Sequence, residues 1–303
     1  MNTADKPRER IGLVGVERMG ADIARRIQAC GFPITSVYDP RRRIAQTLAS
    51  ELGCEAPRSL AKVTACADII LTAAADDEAM LGYYARHGDS LLIGAEGRLF
   101  VNCATVSPET HAKVEENAAL AGADVMEACL TPCGSSPATG LYILCGGPAE
   151  AFERAAPLLR RLARVVRYIG DTGSAAKLKL IIHMIAMANT AILAEGLALA
   201  EAVGLDLGLV REICAQTVAA SRVLETDGER MQQRQHEDGF RTDMAAREIA
   251  LAVRMARKMR LELPVATATK RQYDRMLKAG MGDLDKSGIA ELTFRERGVV
   301  LQR

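Results

Sequence analysis

Two glycines near the start of the chain have the spacing of a phosphate-binding turn. Gly15 and Gly20 lie between a short apolar run, 10–16, and an amphipathic stretch, 21–30. In the dinucleotide-binding pattern G-x-G-x-x-G, the first glycine permits the tight turn and the third lets the helix pack on the strand. The start of that helix then offers free N–H groups to a pyrophosphate. Glu17 occupies the middle glycine position, where its bulk and charge oppose a phosphate, so the pattern is degenerate.

An acidic residue ends the next strand-like segment. Asp39 follows the segment 34–38 and lies 24 residues after Gly15. A carboxylate near this distance accepts hydrogen bonds from the adenosine ribose and favours NAD over NADP. The arginines at 41–43 follow at once and could instead hold a 2′-phosphate. The sequence therefore predicts NAD or NADP as cofactor, with a slight preference for NAD.

The predicted secondary structure that must position these residues differs between the two halves of the chain. Strand-like and helix-like segments alternate through the first half, which predicts βαβ units and a parallel sheet with helices on both faces. Ser107 and Pro108 have the N-cap and first-turn residue types of a helix start. From 174 to 284 no segment has a strand pattern. The predicted fold is an α/β Rossmann-like N-terminal domain, 1–172, followed by an all-α C-terminal domain, 173–303.

Composition excludes several classes of protein. The 303 residues are 49% hydrophobic and 25% charged, values typical of a globular chain with a large core. With 39 Lys and Arg against 38 Asp and Glu, the net charge of +1 gives no drive toward nucleic acid. The eight cysteines form no C-x-x-C pair, and we interpret them as reduced thiols without a metal site. The polar N-terminus does not resemble a signal peptide, and the predicted location is the cytoplasm.

One apolar run needs a test against a membrane-spanning segment. Residues 180–194 form a run of 15 residues that includes His183 and Asn189. A spanning helix needs about 20 mostly apolar residues. The run therefore predicts a helix buried in a core or a subunit interface, with no membrane contact. The apolar stretch 179–203 also predicts a homodimer or homotetramer.

Several segments together match the pattern of one known family. They are GLVG with MG at 12–20, VNCATVSPE at 101–109, EACLTPC at 127–133, GG with FE at 146–153, and AEGLALAE with GLD at 194–206. In order and spacing the chain resembles the β-hydroxyacid dehydrogenases, the family of 3-hydroxyisobutyrate dehydrogenase, tartronate semialdehyde reductase and, more distantly, 6-phosphogluconate dehydrogenase. The resemblance implies a Rossmann-like domain joined to a helical domain through one long helix. It also implies a cleft between the domains for nicotinamide and a small carboxylate substrate.

The family's catalytic motif, G-x-G-x-x-x-K-x-x-x-N, falls on Gly173, Lys179 and His183, with Ala175 at the second glycine. Lys177 is a competitor, but two residues are about 200° around a helix, so only one of the two lysines can face the cleft. Lys179 shares a helix face with His183, and we assign the catalytic position to Lys179. The resemblance implies hydride transfer between nicotinamide and a 3-hydroxy acid, with this lysine as general acid and base. A lysine amine in water has a pKa of about 10.4, and burial lowers such a pKa toward neutral pH.

The resemblance also implies substrate and cofactor contacts. The family's carboxylate-binding loop falls on Thr131, Pro132 and Cys133, and Pro132 has no N–H to donate. His183 replaces an amide of the family, and Arg247 begins an Arg-Glu pair where Lys-Asp is usual. The expected substrate-binding residues are Thr131, Cys133, His183 and Arg247. The expected cofactor-binding residues are Gly15, Arg18, Met19, Gly20, Asp39, Arg41 and Thr105.

Four departures from the family pattern lie at these functional positions, at Glu17, Ala104, Pro132 and His183. They leave two explanations open. In the first explanation, the chain is a dehydrogenase with an altered substrate, and Arg18 or the arginines at 41–43 offset the charge of Glu17. Alternatively, it is a non-catalytic relative kept as a ligand-binding or regulatory module. An imine reductase-like enzyme, from a group that usually lacks this lysine, is a third interpretation.

The other three histidines lie in polar sequence contexts, and we expect them at the surface. They are His87, His111 and His236.

Overall fold

The computed structural model describes residues 9–132, 140–237 and 239–294. The chain divides into two compact units, 1–179 and 180–303. The division that the sequence predicts, between 172 and 173, falls at a glycine turn just before this boundary. The assignment of domains stays a prediction.

The first unit is built from strands that alternate with helices. Its strands are β1 Ile11–Val14, β2 Ile34–Tyr38, β3 Ile69–Thr72, β4 Leu99–Asn102, β5 Asp124–Pro132, β6 Leu141–Gly146 and β7 Val165–Gly170. Its helices are α1 Arg18–Ala29, α2 Arg42–Leu52, α3 Leu60–Cys66, α4 Asp77–Tyr83, α5 Pro108–Leu120 and α6 Ala149–Leu162. Among the described residues, these strands form one sheet in the order β2-β1-β3-β4-β5-β6-β7.

The direction of the strands confirms the Rossmann-like class and corrects one detail. Neighbouring strands are parallel from β2 through β5 and again between β6 and β7. The pair β5 and β6 is antiparallel. The prediction of a parallel sheet was therefore wrong for its last two strands. A strand buried on both faces is a continuous apolar run, and such a run does not indicate in which direction the strand will pair.

Alternate strand residues fill two cores, one on each face of the sheet. Ile69 and Leu71 of β3 pack in one core with Leu48 of α2, whereas Ile70 packs in the other with Val63 of α3. Successive side chains of a strand point to opposite faces, so both faces need a helical cover.

One row of paired residues crosses the sheet at the level where several loops leave it. In order along the row, the paired residues are Val14, Thr72, Asn102, Glu127, Gly146 and Gly170. The turns that follow β1, β4 and β7 therefore start at the same level of the sheet, on strands that other strands separate. This row brings together chain segments that are far apart in sequence.

In the described part of the second unit the regular elements are helices, as predicted, with one isolated bridge between Arg241 and Asp285. Helix α7, Ser174–Ala202, begins in the first unit and continues into the second. The helices that follow are α8 Leu207–Ala215, α9 Arg222–Gln233, α10 Thr242–Lys258 and α11 Pro264–Lys278, and a 3-10 helix covers Lys286–Leu292. Met231, Ile249 and Tyr273 are among the fully buried residues of the core of this unit.

Helix α7 is longer than the apolar run 180–194 that lies within it. It has 29 residues, so by length and composition alone it could cross a membrane. The argument from the 15-residue length of the run therefore does not exclude a membrane-spanning helix. One helix of this kind is weak evidence for a membrane, because the core helix of a globular protein has the same properties. In its most apolar window, 33% of the residues are buried. Exposed apolar side chains on α7 include Ile181, Ile185, Ile192 and Leu199.

Candidate functional site

The turn after β1 can be made only with glycine at two positions. Gly15 has φ +81°, and a Cβ there would lie 2.3 Å from the carbonyl oxygen of Ala73. A Cβ on Gly20 would lie 2.0 Å from the carbonyl oxygen of Gly15. Real Cβ atoms do not approach backbone so closely, so α1 can begin directly against this turn only because both side chains are absent. The geometry fits a backbone cradle for a pyrophosphate at the start of a helix.

Glu17, at the middle glycine position, is held by an arginine from the next strand's loop. Its carboxylate forms a two-pronged ion pair with Arg41, at 2.9 Å to Nη1 and 2.5 Å to Nη2. Both side chains are more than half exposed. Glu17 is also the N-cap residue of α1, but its side chain does not cap the helix. The N–H groups of the first turn of α1 therefore stay uncapped by this carboxylate, whose charge is offset by Arg41.

Asp39 is buried at the end of β2 and joins the two loops. One carboxylate oxygen accepts the Val16 N–H at 3.1 Å, and the other accepts the Arg41 N–H at 2.9 Å. A carboxylate has about four lone-pair directions, so these two hydrogen bonds leave acceptor capacity for a ribose hydroxyl. The predicted ribose ligand thus also holds the glycine turn in place.

Lys179 and Lys177 occupy different environments on α7. Lys179 is only 4% exposed, and its Nζ donates a hydrogen bond of 2.5 Å to Thr105 Oγ1. Lys177 is exposed. Thr105 follows the end of β4 and is buried as well. The structure therefore brings Lys179 and Thr105 together and leaves Lys177 in solvent.

Glu127 positions the start of α7, and sequence reasoning did not single it out. Its carboxylate accepts hydrogen bonds from the Gly173 N–H and, at 2.8 Å, from the Ala176 N–H. The side chain is 1% exposed, and burial raises its pKa, against the effect of the two N–H groups. An acidic residue inside a buried strand was the available signal, because such a charge needs partners.

His183 lies one helical turn beyond Lys179, in the second unit. Its Nδ1 is hydrogen-bonded to the carboxylate of Glu248, which is buried in α10. The edge of Phe240 packs against the imidazole, with ring centroids 5.4 Å apart at 79°. Both contacts fix the orientation of the ring. Arg247 neighbours Glu248 on α10 and is partly exposed.

The remaining predicted residues are only partly described. Thr131 lies near the end of β5, and its hydroxyl has no hydrogen-bond partner among the described residues. Met19 is 40% exposed on the first turn of α1. Cys133 and the side chains of Arg18 and Pro132 lie outside the described part of the structure.

Two histidines contradict the expectation of a surface position. His111 is fully buried and His236 is 4% exposed, whereas His87 is exposed as expected. His236 is hydrogen-bonded to Ser287 at 2.9 Å and to Glu291 at 3.3 Å. Their sequence neighbours are polar, so burial by distant segments left no local signal.

Two family models cover most of the chain. The NAD binding domain of 6-phosphogluconate dehydrogenase matches residues 10–170. The NAD-binding domain of NADP-dependent 3-hydroxyisobutyrate dehydrogenase matches residues 173–293. With the glycine turn, these matches define an NAD(P)-dependent oxidoreductase of the hydroxyacid dehydrogenase class.

Named relatives agree with this class along nearly the whole chain. A 3-hydroxyisobutyrate dehydrogenase of Pseudomonas aeruginosa is 30% identical over 212 residues, 68% of this chain and 69% of that protein. The 2-hydroxy-3-oxopropionate reductase of Escherichia coli is 26% identical over 289 residues, 93% of this chain and 96% of that protein. The chain belongs to the 3-hydroxyisobutyrate dehydrogenase family of β-hydroxyacid dehydrogenases, as a divergent member.

Solved structures share the fold at lower identity. A 3-hydroxyisobutyrate dehydrogenase of Mycobacterium tuberculosis, solved with L-serine, has a TM-score of 0.85 at 21% identity and covers 94% of this chain and 99% of its own. An imine reductase from Pseudomonas sp. has a TM-score of 0.61 at 16% identity, with 93% and 98% covered. At these identities the likeness shows the fold alone.

Replacing Gly20 with alanine tests the glycine turn. We expect Gly20→Ala to destabilise the protein and to weaken NADH binding, because the new Cβ meets the Gly15 carbonyl. Gly82→Ala is the matched control, since Gly82 is also helical and a Cβ added there would meet nothing within 4 Å. Alanine should stabilise that site by up to about 1 kcal/mol. Urea unfolding and calorimetric titration measure both effects, and equal behaviour of the two variants would refute the steric explanation.

Proposed function

We propose that the chain transfers a hydride between a nicotinamide cofactor and a small 3-hydroxy acid or the matching semialdehyde, with the Lys179 amine as general acid and base. The observation that carries this proposal is the buried contact of Lys179 Nζ with Thr105 Oγ1. When bound, the cofactor supplies the hydride acceptor or donor. The neutral amine takes the proton of the substrate hydroxyl as the hydride leaves carbon, and the ammonium returns it in the reverse direction.

Burial and the contact to Thr105 suit Lys179 to that task. The hydroxyl of Thr105 holds the amine at one place near the start of α7. A fixed position matters because proton transfer needs the amine within hydrogen-bond reach of the substrate oxygen. The buried lysine also favours the hydroxyacid reaction over an imine reductase, a group that usually lacks a lysine at this position.

We assign recognition of the substrate carboxylate to Thr131, His183 and Arg247. Thr131 offers a hydroxyl without a described partner. His183 donates or accepts in place of the family's amide, and Glu248 orients its ring. A guanidinium such as that of Arg247 matches the geometry of a carboxylate. Names of relatives, such as 2-hydroxy-3-oxopropionate reductase, support a small hydroxy acid as the substrate class.

For the cofactor we propose the glycine turn as the pyrophosphate site and NAD as the preferred dinucleotide. The backbone at Gly15, Met19 and Gly20 would hold the phosphates, and Asp39 would accept from the ribose. Glu17 and Asp39 both place negative charge near that ribose, which disfavours a 2′-phosphate. Arg41, one of the arginines at 41–43, is already paired with Glu17 and lies 3.6 Å from Asp39. The seven described cysteines are free thiols, which supports a reducing compartment, the cytoplasm.

Removing the two lysines in turn tests the catalytic assignment. We expect Lys179→Ala to lower kcat by about 10²–10⁴-fold, the usual contribution of general acid–base catalysis. Lys177→Ala should change kcat little, because Lys177 is exposed. Turnover is measured across a panel of 3-hydroxy acids, and calorimetry should show that both variants still bind NADH. The reverse ranking of the two variants would overturn the assignment.

Removing the Glu17 carboxylate tests the cofactor preference. We expect Glu17→Gly to tighten both NADH and NADPH, with the larger gain for NADPH because Arg41 loses its pair with Glu17 and keeps a longer contact of 3.6 Å to Asp39. Asp22→Asn is the control, since Asp22 is an exposed carboxylate on the same helix that pairs with Arg25. Parallel calorimetric titrations give the four affinities. Unchanged affinity in Glu17→Gly would show that this side chain points away from the phosphates.

We also propose that a second copy of the chain covers the exposed apolar face of α7. Ile185, Ile192 and Leu199 are 53%, 64% and 66% exposed. Their spacing of seven residues returns to nearly the same helix face every two turns. Apolar side chains this exposed along one face indicate a protein interface.

Charging that face tests the homodimer or homotetramer. We expect Ile192→Glu to lower the oligomer mass in light scattering, because a buried unpaired carboxylate opposes association. Leu120→Glu is the matched control, as Leu120 is 66% exposed on α5 in the first unit. A wild-type protein that is monomeric at micromolar concentration would refute the proposal.

A further inference from the structure

Three side chains with metal-binding atoms meet in the interior of the first unit. His111 lies in the first turn of α5, and Glu127 and Cys129 lie two residues apart on β5, so they share one face of the strand. Their ligand atoms all lie within 4.8 Å of one another. The three residues are 0%, 1% and 0% exposed. The structure thus gathers imidazole, carboxylate and thiol in one place closed to solvent.

His111 is the observation that points to a missing partner. Neither of its ring nitrogens has a hydrogen-bond partner in the described part of the chain. Leaving a buried donor or acceptor unsatisfied costs about 1–3 kcal/mol, so such groups are rare unless something binds them. A neutral imidazole has one ring nitrogen with a lone pair free for a cation.

We propose that His111, Glu127 and Cys129 form a site for a divalent cation of the Zn²⁺ type. Imidazole, thiolate and carboxylate are the ligands that zinc accepts, whereas Mg²⁺ and Ca²⁺ need oxygen ligands. One thiolate and one carboxylate balance the charge of the ion, which lowers the cost of burying it. Three protein ligands leave the fourth tetrahedral position to water.

The chemistry of binding is a simple exchange of a proton for the metal. Cys129 is fully buried, so the metal-free residue carries a neutral thiol. Zn²⁺ binds the sulfur as thiolate, and the thiol proton is released to solvent. Bonds of about 2.0–2.3 Å place tetrahedral ligand atoms about 3.5 Å apart, which lies inside the 4.8 Å limit that the three ligand atoms already meet.

Glu127 would link the metal to α7. Its two oxygens already accept the N–H groups of Gly173 and Ala176, and each oxygen has a second lone pair for the ion. A bound cation would therefore join α5, β5 and the first turn of α7. This inference rests on the cluster itself and does not depend on the proposed reaction.

Sequence reasoning predicted no metal because the three ligands have no local spacing. The histidine lies 16 residues before the glutamate, on a different element. Only the packing of α5 on the sheet brings it to Glu127 and Cys129.

Cobalt titration of the metal-free, reduced full-length chain tests the site. We expect one Co²⁺ per chain, with the near-ultraviolet charge-transfer absorption that indicates a cobalt–thiolate bond. Cys129→Ser should lose this band. Cys103→Ser is the matched control and should keep it, since Cys103 is also buried but follows the neighbouring strand and is not part of the cluster.

His111→Leu separates metal binding from folding. Because leucine removes two unsatisfied ring nitrogens, the metal-free variant should melt at or above the wild-type temperature. Added Zn²⁺ should raise the melting temperature of the wild type and of Cys103→Ser only. If His111→Leu does not fold, His111→Asn serves in its place. Folded wild type that binds no stoichiometric Co²⁺, or a band that persists in Cys129→Ser, would overturn the proposal.

Discussion

The hydrogen bonds between Glu127 and the start of α7 determine the position of Lys179, which we propose as the general acid and base. A helix start leaves N–H groups without partners and carries partial positive charge, and a buried carboxylate satisfies both. Glu127 supplies that carboxylate from the middle of the sheet. Lys179 follows within the next turn of α7, so the place of its amine beside Thr105 depends on this anchor. Loss of these hydrogen bonds would therefore release both the start of α7 and the Lys179 amine from their positions.

Much of the fold could be predicted from local signals, because those signals act over a few residues. The alternation of strands and helices predicted the Rossmann-like class, and Ser107 with Pro108 begins α5 as expected, with Ser107 Oγ accepting the Thr110 N–H. The antiparallel pairing of β5 and β6 could not be predicted, since strand direction depends on how the chain returns to the sheet. The burial of His111 was hidden for the same reason, because the strand that covers it belongs to another segment.

At the predicted cofactor site, residue spacing predicted the glycine turn but not all of the contacts around it. The positions of Gly15 and Gly20 predicted a tight turn, and the clashes that a Cβ would make there explain why both are glycine. The departure at Glu17 predicted that an arginine offsets its charge, and the structure identifies Arg41 as one such arginine. That choice could not be made from the sequence, because it depends on β1 and β2 lying side by side. Asp39 likewise has a second task, as acceptor for two backbone N–H groups, that only the folded chain reveals.

The register row from Val14 to Gly170 separates the first unit into two edges with different tolerance to change. Along the row, Gly146 and Glu127 pair directly, and the loops beyond it hold the glycine turn, Thr105 and the start of α7. At the opposite end of β4, a Cβ added to the exposed Gly94 would meet nothing within 4 Å, whereas the Gly97 N–H donates to Gly122 and the Gly97 carbonyl accepts from Arg154. Exposed turns of small residues, such as the turn at Gly94, are the sites where chains best tolerate insertions and new termini. Circular permutants and biosensor fusions of this enzyme are therefore best built at that turn. They would keep intact the other ends of the strands, which carry the glycine turn and Thr105.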